Sequence, residues 1–192
     1  DVPIVVKGPL LCSVTFYTEP STIGSISFQN GTYTNGQSDT FAYGTSGSAT
    51  ANAPACWEFD HWETTGNVGV SNTSANPTTV TITCGGTLKA VFNQIEYTLT
   101  ITTTPGGTTD PAPSSYQHPC SSSVQVTAIP DPCYEFDHWE LDSVDVGSAN
   151  PYTVHMDSDH TLHAVFVQIE YTLTVNVVGS GSVTKNPDQL TY

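Results

Sequence analysis

A short aromatic stretch occurs twice in this chain and constrains its fold more than any other feature. It reads CWEFDHWE at residues 56–63 and CYEFDHWE at residues 133–140. In each copy the three rings are spaced by two and then by three residues, so a regular strand would send the last ring to the opposite face. One extra residue at Asp137-His138, bulged out of the ladder, would return all three rings to one face. Each copy is therefore predicted to be a bulged strand at the centre of a core.

The rest of the sequence favours strands and turns. Thr, Ser, Gly and Asn dominate its polar residues, no helical periodicity occurs, and Cys12, Val14 and Phe16 alternate with polar residues as in a half-buried strand. We therefore expect an all-β fold. The side chains expected to form its core are aromatic: Trp57, Phe59, Trp62, Phe92, Tyr134, Phe136, Trp139 and Phe166.

An internal repeat sets the predicted domain organisation. The sequence QIEYTLT occupies residues 94–100 and recurs at residues 168–174, which gives a period of 74 residues. We expect two tandem strand-dominated modules, each sandwich-like or β-grasp-like, followed by the first strands of a third module that is either incomplete or donated to another molecule. The predicted ranges are 1–11 for an N-terminal extended segment, 12–95 for module 1, 96–169 for module 2 and 170–192 for the last strands.

Two further motifs follow each aromatic stretch. Asn-Pro and Ala-Val-Phe occupy residues 150–151 and 164–166 in the second module, and residues 76–77 and 90–92 in the first. This combination resembles the divergent internalin-type B-repeat modules of secreted and surface proteins, whose aromatic strand has the form G-Y-x-F-x-G-W. The resemblance implies a small, strand-dominated module that serves as a spacer or adhesive segment and has no catalytic residues.

The chain departs from that family pattern at two positions in each module. Cys56 and Cys133 stand where Gly usually precedes the aromatic residue, and His61 and His138 replace the Gly before Trp. The first departure suggests added disulfides.

The five cysteines match no zinc-binding spacing, since no C-x-x-C pair exists, and disulfides imply an oxidising, extracytoplasmic setting. Cys120 and Cys133 flank one predicted strand and are expected to pair. If the opening and closing strands of a module run parallel and side by side, Cys12 lies near Cys84, and that pair is favoured next. Cys56 would then be free or bonded between chains. Sequence alone leaves the connectivity open.

The charge of the chain excludes some partners. It has three Lys, no Arg and a formal net charge of −15, so binding to nucleic acid or to anionic lipid has no electrostatic support. No apolar run approaches membrane-spanning length. We expect an extracellular or cell-surface protein with a soluble, self-repelling surface.

Candidate chemistry is sparse. His155, Asp157, Asp159, His160 and His163 surround one predicted hairpin tip, and of these Asp157, Asp159 and His160 are candidate metal ligands. Because Cys84-Gly85-Gly86 occupies the matching tip of the first module, a solvated acidic turn is the favoured interpretation.

His61 and His138 each adjoin an Asp, but no nucleophile motif or oxyanion loop accompanies them. A structural role, such as a hydrogen bond to the backbone of the bulge, is predicted instead. The sequence thus predicts neither a cofactor nor an enzymatic activity. Asn30 and Asn72 begin glycosylation sequons.

Two hypotheses about function follow. The first is a non-catalytic structural protein that self-associates through edge or donated strands and disulfides into a filament, sheath or surface layer. The alternative is an adhesive or ligand-binding spacer of a longer surface protein, with a glycan or protein as its ligand.

Overall fold

The computed structural model describes residues 8–184, which form fifteen β-strands and no helix. The predicted all-β class is confirmed. The chain divides between Ile95 and Glu96 into two compact units. The limits predicted for the modules stay predictions, and residues 1–7 and 185–192 of those ranges lie outside the described part.

Unit 1 contains one seven-stranded sheet in which the strands β3, β2, β5, β7, β1 and β4 lie in that order and β6 pairs with β7. Its strands are β1 (Leu11–Glu19), β2 (Ser25–Phe28), β3 (Gly31–Tyr33), β4 (Ser38–Ala42), β5 (Thr45–Asn52), β6 (Trp57–Val70) and β7 (Thr78–Gln94). Residues 78–82 of β7 pair with β5 and residues 86–91 pair with β1, so one long strand serves two neighbours in succession.

Unit 2 contains a five-stranded sheet of order β10, β8, β15, β12, β13 and a three-stranded sheet of order β14, β11, β9. Its strands are β8 (Glu96–Thr103), β9 (Gly107–Asp110), β10 (Ser115–Pro119), β11 (Ser123–Pro130), β12 (Tyr134–Leu141), β13 (Val144–Gly147), β14 (Tyr152–His155) and β15 (His160–Gln168).

The opening and closing strands of each unit run parallel and are hydrogen-bonded neighbours, which is the condition on which the predicted proximity of Cys12 and Cys84 depended. In unit 1 Phe16 of β1 lies opposite Leu88 of β7, and in unit 2 Ile101 of β8 lies opposite Leu162 of β15. All four of these side chains are buried. Each module therefore closes on itself by pairing its first strand with its last.

The predicted bulge is present in both aromatic strands. Register shifts occur between Phe59 and His61 against β7 and between Phe136 and His138 against β15. Asp60 and Asp137 are the extra residues. The spacing of the rings was therefore a sufficient signal for the bulge.

The bulge turns the rings toward the core in both units. Trp62 and Trp139 are buried, and their ring centroids lie 5.2 Å from Phe59 and 5.1 Å from Phe136, respectively. Phe92 and Phe166 of the closing strands are also buried. The first ring of each stretch, Trp57 or Tyr134, is half-buried and packs against the same cluster, as do Phe59 and Phe136.

The predicted hairpin tip at residues 84–86 is wrong, because β7 is one continuous strand. A Cβ on Gly86 would overlap the carbonyl oxygen of Thr65 in β6. The two glycines thus permit a close approach of neighbouring backbones rather than a turn. In unit 2 the corresponding residues 156–159 do separate two strands, β14 and β15. These strands belong to different sheets, so they do not form a hairpin either.

The predicted opening strand of a third module stays a prediction. Residues 169–184 have no regular secondary structure and are not part of the sheets formed by β1–β15. An opening strand becomes buried by packing beside the closing and aromatic strands of its own module, as β8 does beside β15, which in turn pairs with β12. The described residues after 168 contain neither of those strands.

Candidate functional site

The most unusual surface of the described chain is an alternating apolar segment at residues 171–177, called the tail segment below. Its side chains at alternate positions, Tyr171, Leu173, Val175 and Val177, are 60%, 53%, 40% and 46% exposed. This two-residue period is typical of a strand with one buried face. A group of exposed apolar side chains close together in the chain is a candidate interaction surface.

An identical sequence is buried elsewhere in the same chain. Residues 94–100 and 168–174 share the sequence QIEYTLT, and Leu99 in the first copy is fully buried in β8 whereas Leu173 in the second is exposed. The local sequence is therefore competent to form a core strand.

Sheet edges are the complementary feature. In unit 1 the described strands leave β4 at the edge beside β1, and in unit 2 they leave β10 at the equivalent edge beside β8. These two edges differ at one position. Leu11 of β1 lies opposite Ala42 of β4, whereas Glu96 of β8 lies opposite Pro119 of β10. Proline lacks an N–H, so it removes a hydrogen-bond donor from the β10 edge. The β4 edge keeps that donor and is better able to pair with a further strand.

An exposed apolar patch, called the head patch below, adjoins the β4 edge. It consists of Leu10 and Tyr43, which are 61% and 59% exposed, whereas Leu11, 61% exposed, lies on the other face of the sheet. The Tyr43 N–H donates a hydrogen bond of 2.7 Å to the Leu10 carbonyl, which extends the β1–β4 ladder by one pair. Sequence reasoning missed this patch. The available signal was the Leu10-Leu11 doublet next to an edge strand.

The cysteines are arranged differently from the prediction. Cys56 and Cys120 are disulfide-bonded, whereas Cys133 is an exposed free thiol. The expected Cys120–Cys133 bond is wrong because the two residues stand at opposite ends of β11. That eight-residue strand extends about 26 Å, far beyond the roughly 7 Å between Cα atoms that a disulfide tolerates. Cys56, predicted to be free or bonded between chains, is instead one of the bonded cysteines.

Cys12 and Cys84 are both free thiols, so the disulfide predicted between them is absent, but their predicted proximity is present. Cys12 is buried, and Cys84 is half-buried. A hydrogen bond between the two side chains, and secondly burial, raises the pKa of the Cys12 thiol. Both effects keep the Cys12 proton in place and lower its reactivity.

Two of the predicted metal candidates, Asp157 and His160, belong to one hydrogen-bond network, and the third, Asp159, lies outside it. His160 lies with Nδ1 2.7 Å from a carboxylate oxygen of Asp142 and with Nε2 2.9 Å from one of Asp157, and Asp159 accepts a hydrogen bond from the Thr98 N–H. Hydrogen bonds to Asp142 and then to Asp157 raise the pKa of His160, and burial opposes them. Both ring nitrogens are thereby engaged.

His155 and His163 lie apart from this network. His155 ends β14, and His163 of β15 has Nδ1 2.8 Å from the hydroxyl of Thr102. Within the part of the chain that the structure describes, no group of three or more His, Cys, Asp or Glu side chains is arranged to hold a metal ion.

The bulge histidines contact carboxylates rather than the bulge backbone. The Nδ1 atoms of His61 and His138 each lie 2.8 Å from the carboxylate of the preceding bulged residue, Asp60 or Asp137. These hydrogen bonds are the main reason why the pKa of each histidine is raised. The predicted backbone hydrogen bond is therefore corrected to an Asp–His pair on the surface. Residues 8–184 form no concave pocket beside it or elsewhere.

The glycosylation candidates lie on exposed turns. Asn30 occupies the turn between β2 and β3, and Asn72 follows β6 with its side-chain oxygen accepting a 2.9 Å hydrogen bond from the Ser74 N–H. Both positions are accessible to a modifying enzyme. Occupancy by glycan stays a prediction.

Taken together, two units with a parallel first and last strand, a bulged aromatic strand and an Asn-Pro motif define a tandem β-repeat protein. The chain belongs to the divergent InlB B-repeat domain family, whose model matches residues 19–96 and again residues 97–170. No curated protein matched the chain, and no solved structure matched it. Domains of this family are generally non-catalytic and occur in surface proteins, so membership fits a surface repeat module. Residues 8–184 contain no helix with the length and hydrophobicity needed to cross a bilayer.

Proposed function

We propose that this chain is a non-catalytic structural module of the cell surface that self-associates through strand pairing into a filament, sheath or layer. The observation that carries the proposal is the pair of identical sequences, one buried in β8 and one exposed in the tail segment. A segment with a proven core-strand sequence and an exposed apolar face is suited to adding to a sheet edge of another copy.

The charge of the protein sets the conditions under which association should occur. Each copy carries a formal net charge of −15, so copies repel one another in water of low ionic strength. Salt screens that repulsion, with a Debye length of about 10 Å at 0.1 M. Ordering a strand also costs about 1–2 kcal/mol per residue. We therefore expect assembly to require concentrated protein and added salt.

The test is sedimentation velocity with electron microscopy of the full chain over a series of protein and NaCl concentrations. Val175→Asp places a charge in the middle of the tail segment and should abolish association. Val183→Asp makes the same change at another exposed valine, which lies outside the tail segment, and should leave association unchanged.

Monomers under all conditions would contradict the proposal, and so would equal assembly of wild type and Val175→Asp. Monomers that bind a glycan or a protein of the source organism would favour the adhesive alternative. Labelling of intact cells with an antibody against the chain tests the surface location, since an intracellular protein would label only after permeabilisation.

A further inference from the structure

We propose that each unit is a mechanical clamp, in which the hydrogen bonds between its first strand and its last strand resist a pull along the chain by acting together. The clamp of unit 1 is the parallel β1–β7 pair, and the clamp of unit 2 is the parallel β8–β15 pair. This load-bearing role goes beyond the proposed self-association and does not require it, because a single chain is enough to show it.

The direction of the strands decides how a pull is shared. Residues 14–19 of β1 lie opposite residues 86–91 of β7, and residues 99–103 of β8 lie opposite residues 160–164 of β15. In a parallel pair the start of one strand and the end of the other lie at opposite ends of the ladder. A pull on those two ends slides the strands past each other, so all the hydrogen bonds between them must stretch at once.

The chain enters and leaves each unit through the clamp itself. Among the described residues, β1 is the first strand of unit 1 and β7 is its last, and β8 and β15 hold the same places in unit 2. Only Ile95 separates Gln94, which ends β7, from Glu96, which begins β8. A pull transmitted along the backbone therefore passes from the first clamp to the second through one residue.

The backbone of β1 divides its hydrogen bonds between two neighbours. The N–H of Phe16 donates to the Gln37 carbonyl, and the Phe16 carbonyl accepts from the Gly36 N–H, at 2.8 Å each, just before β4. Backbone groups alternate in direction along a strand, so Thr15 and Tyr17 direct theirs toward β7. Because β1 is bonded along both edges, it cannot leave the sheet without breaking the β7 ladder.

The core shields one face of each clamp from water. Phe16 and Leu88 are buried in the first clamp, and Ile101 and Leu162 are buried in the second. A backbone hydrogen bond that breaks in water is replaced by one to the solvent, which offsets most of its loss. Where the core keeps water out, that replacement is delayed and the ladder resists the pull for longer.

Side chains add links between the two strands of each clamp. Lys89 of β7 forms an ion pair with Glu19 of β1, with Nζ 2.5 Å from Oε2. In unit 2 the Nδ1 atom of His163 in β15 lies 2.8 Å from the hydroxyl of Thr102 in β8. Lys89 also forms an ion pair at 2.6 Å with Glu63 of β6, on the other side of β7. The same lysine thus has one contact inside the clamp and a matched contact outside it.

The geometry of pulling is the direct test. Single full-length molecules are held in optical tweezers by handles at the two termini, and then by handles at the N-terminus and at a tag inserted after Ser158, between β14 and β15. In the first geometry both clamps are sheared. In the second, unit 2 is pulled at the starts of β8 and β15, which lie at the same end of their ladder because Leu99 faces His160. Its hydrogen bonds then break one after another.

Pulling at the termini should give two unfolding steps, one for each unit. With the internal handle, the step of unit 2 should fall to about half its force or less, because its bonds no longer act together. The step of unit 1 should not move, since its loading is unchanged. The tagged protein pulled by its termini is the matched control and should behave as wild type. A step of unit 2 at the same force in both geometries would overturn the clamp.

A matched pair of variants tests the place of the clamp in unit 1 without an insertion. Glu19→Gln removes the ion pair of Lys89 inside the clamp, and Glu63→Gln removes the one outside it. At constant force between the termini, Glu19→Gln should shorten the lifetime of folded unit 1 by about two- to fivefold, as expected for an exposed ion pair. Glu63→Gln should shorten it less. Equal effects of the two changes would contradict a clamp at β1–β7.

The outcomes separate this inference from the proposed function. If unit 2 unfolds at the same force in both geometries, the clamp is wrong while self-association stands. If the chain never assembles but its units unfold at high force only when sheared, the clamp stands and self-association fails.

Discussion

The indole Nε1 of Trp139 donates a 3.1 Å hydrogen bond to the carbonyl of Ala149, the residue immediately before Asn150. The Asn150 side chain in turn bonds both backbone groups of Ala128 in β11, at 2.9 Å each. The Asn-Pro motif therefore joins the aromatic strand of one sheet to the central strand of the other. Unit 1 repeats the arrangement, with Trp62 donating to Ala75 at 2.9 Å.

Asn150→Ala should lower the free energy of unfolding of unit 2 by about 2–3 kcal/mol, because it removes two hydrogen bonds and leaves the Ala128 N–H and carbonyl without them. Urea denaturation followed by tryptophan fluorescence measures the change. Asn72→Ala, at an exposed turn residue, should cost less than about 1 kcal/mol. Similar costs for both variants would contradict the joining role of the motif.

Cys133→Gly should raise the free energy of unfolding by about 0.5–1 kcal/mol. Cys133 has a φ of 68°, in the left-handed region that costs an L-residue about 1–2 kcal/mol, partly offset by the extra freedom of glycine when unfolded. The family has Gly at this position, which fits that conformation. Cys133→Ala is the control, since it removes the thiol and keeps the strain, and it should not stabilise the protein.

His160→Gln should destabilise the protein most in weakly acidic solution. The pKa of His160 is raised above its usual 6.5, so its contribution is fully present below that value and is lost as the pH rises through the folded pKa. The pKa values of Asp142 and Asp157 are lowered from 3.8, and their contributions are lost in strong acid. The difference in stability from wild type should be largest near about pH 5 and should not exceed about 1 kcal/mol.

Chemical denaturation at several pH values tests this expectation, with His155→Gln as the control. A stability difference that grows from weakly acidic to alkaline pH would overturn the assignment of His160 as a protonated partner of the two carboxylates.

Tyr33 should titrate above the ordinary pKa of tyrosine. Burial first, and then its 2.7 Å hydrogen bond to Asp39, raises the pKa of Tyr33 to about 12. Its contribution to stability is present below the ordinary pKa of 10 and is lost as the pH rises toward 12. Ultraviolet titration of the phenolate should show a late component that disappears in Tyr33→Phe, and an unchanged titration curve would contradict it.

The thiols should react in the order of their burial. Ellman's reagent on the native protein should modify the exposed Cys133 first, and Cys12 last, because it is buried and its pKa is raised. Mass mapping of partially modified protein reads the order. Cys133→Ala should remove the fast phase and leave the slow one, and a fast reaction at Cys12 would refute the buried position.

The fold class and the bulge could be predicted from the sequence. The bulge was predictable because the spacing of the rings shows which face of the strand each side chain occupies. Prediction from the sequence failed where one residue type can serve two different structural roles. Gly85-Gly86 suggested a turn, but the pair permits a close approach to Thr65 within a continuous strand. Likewise Cys120 and Cys133 are near in sequence, but β11 holds them apart. The head patch was missed since exposure of Leu10 and Tyr43 depends on where the neighbouring strands end.

The duplicated heptapeptide has a consequence for the length of such arrays. Because residues 94–100 and 168–174 are the same, a chain that gained or lost 74 residues between them would keep an unchanged sequence on both sides of the splice. Module number can therefore vary in whole steps while every joint retains the same chemistry.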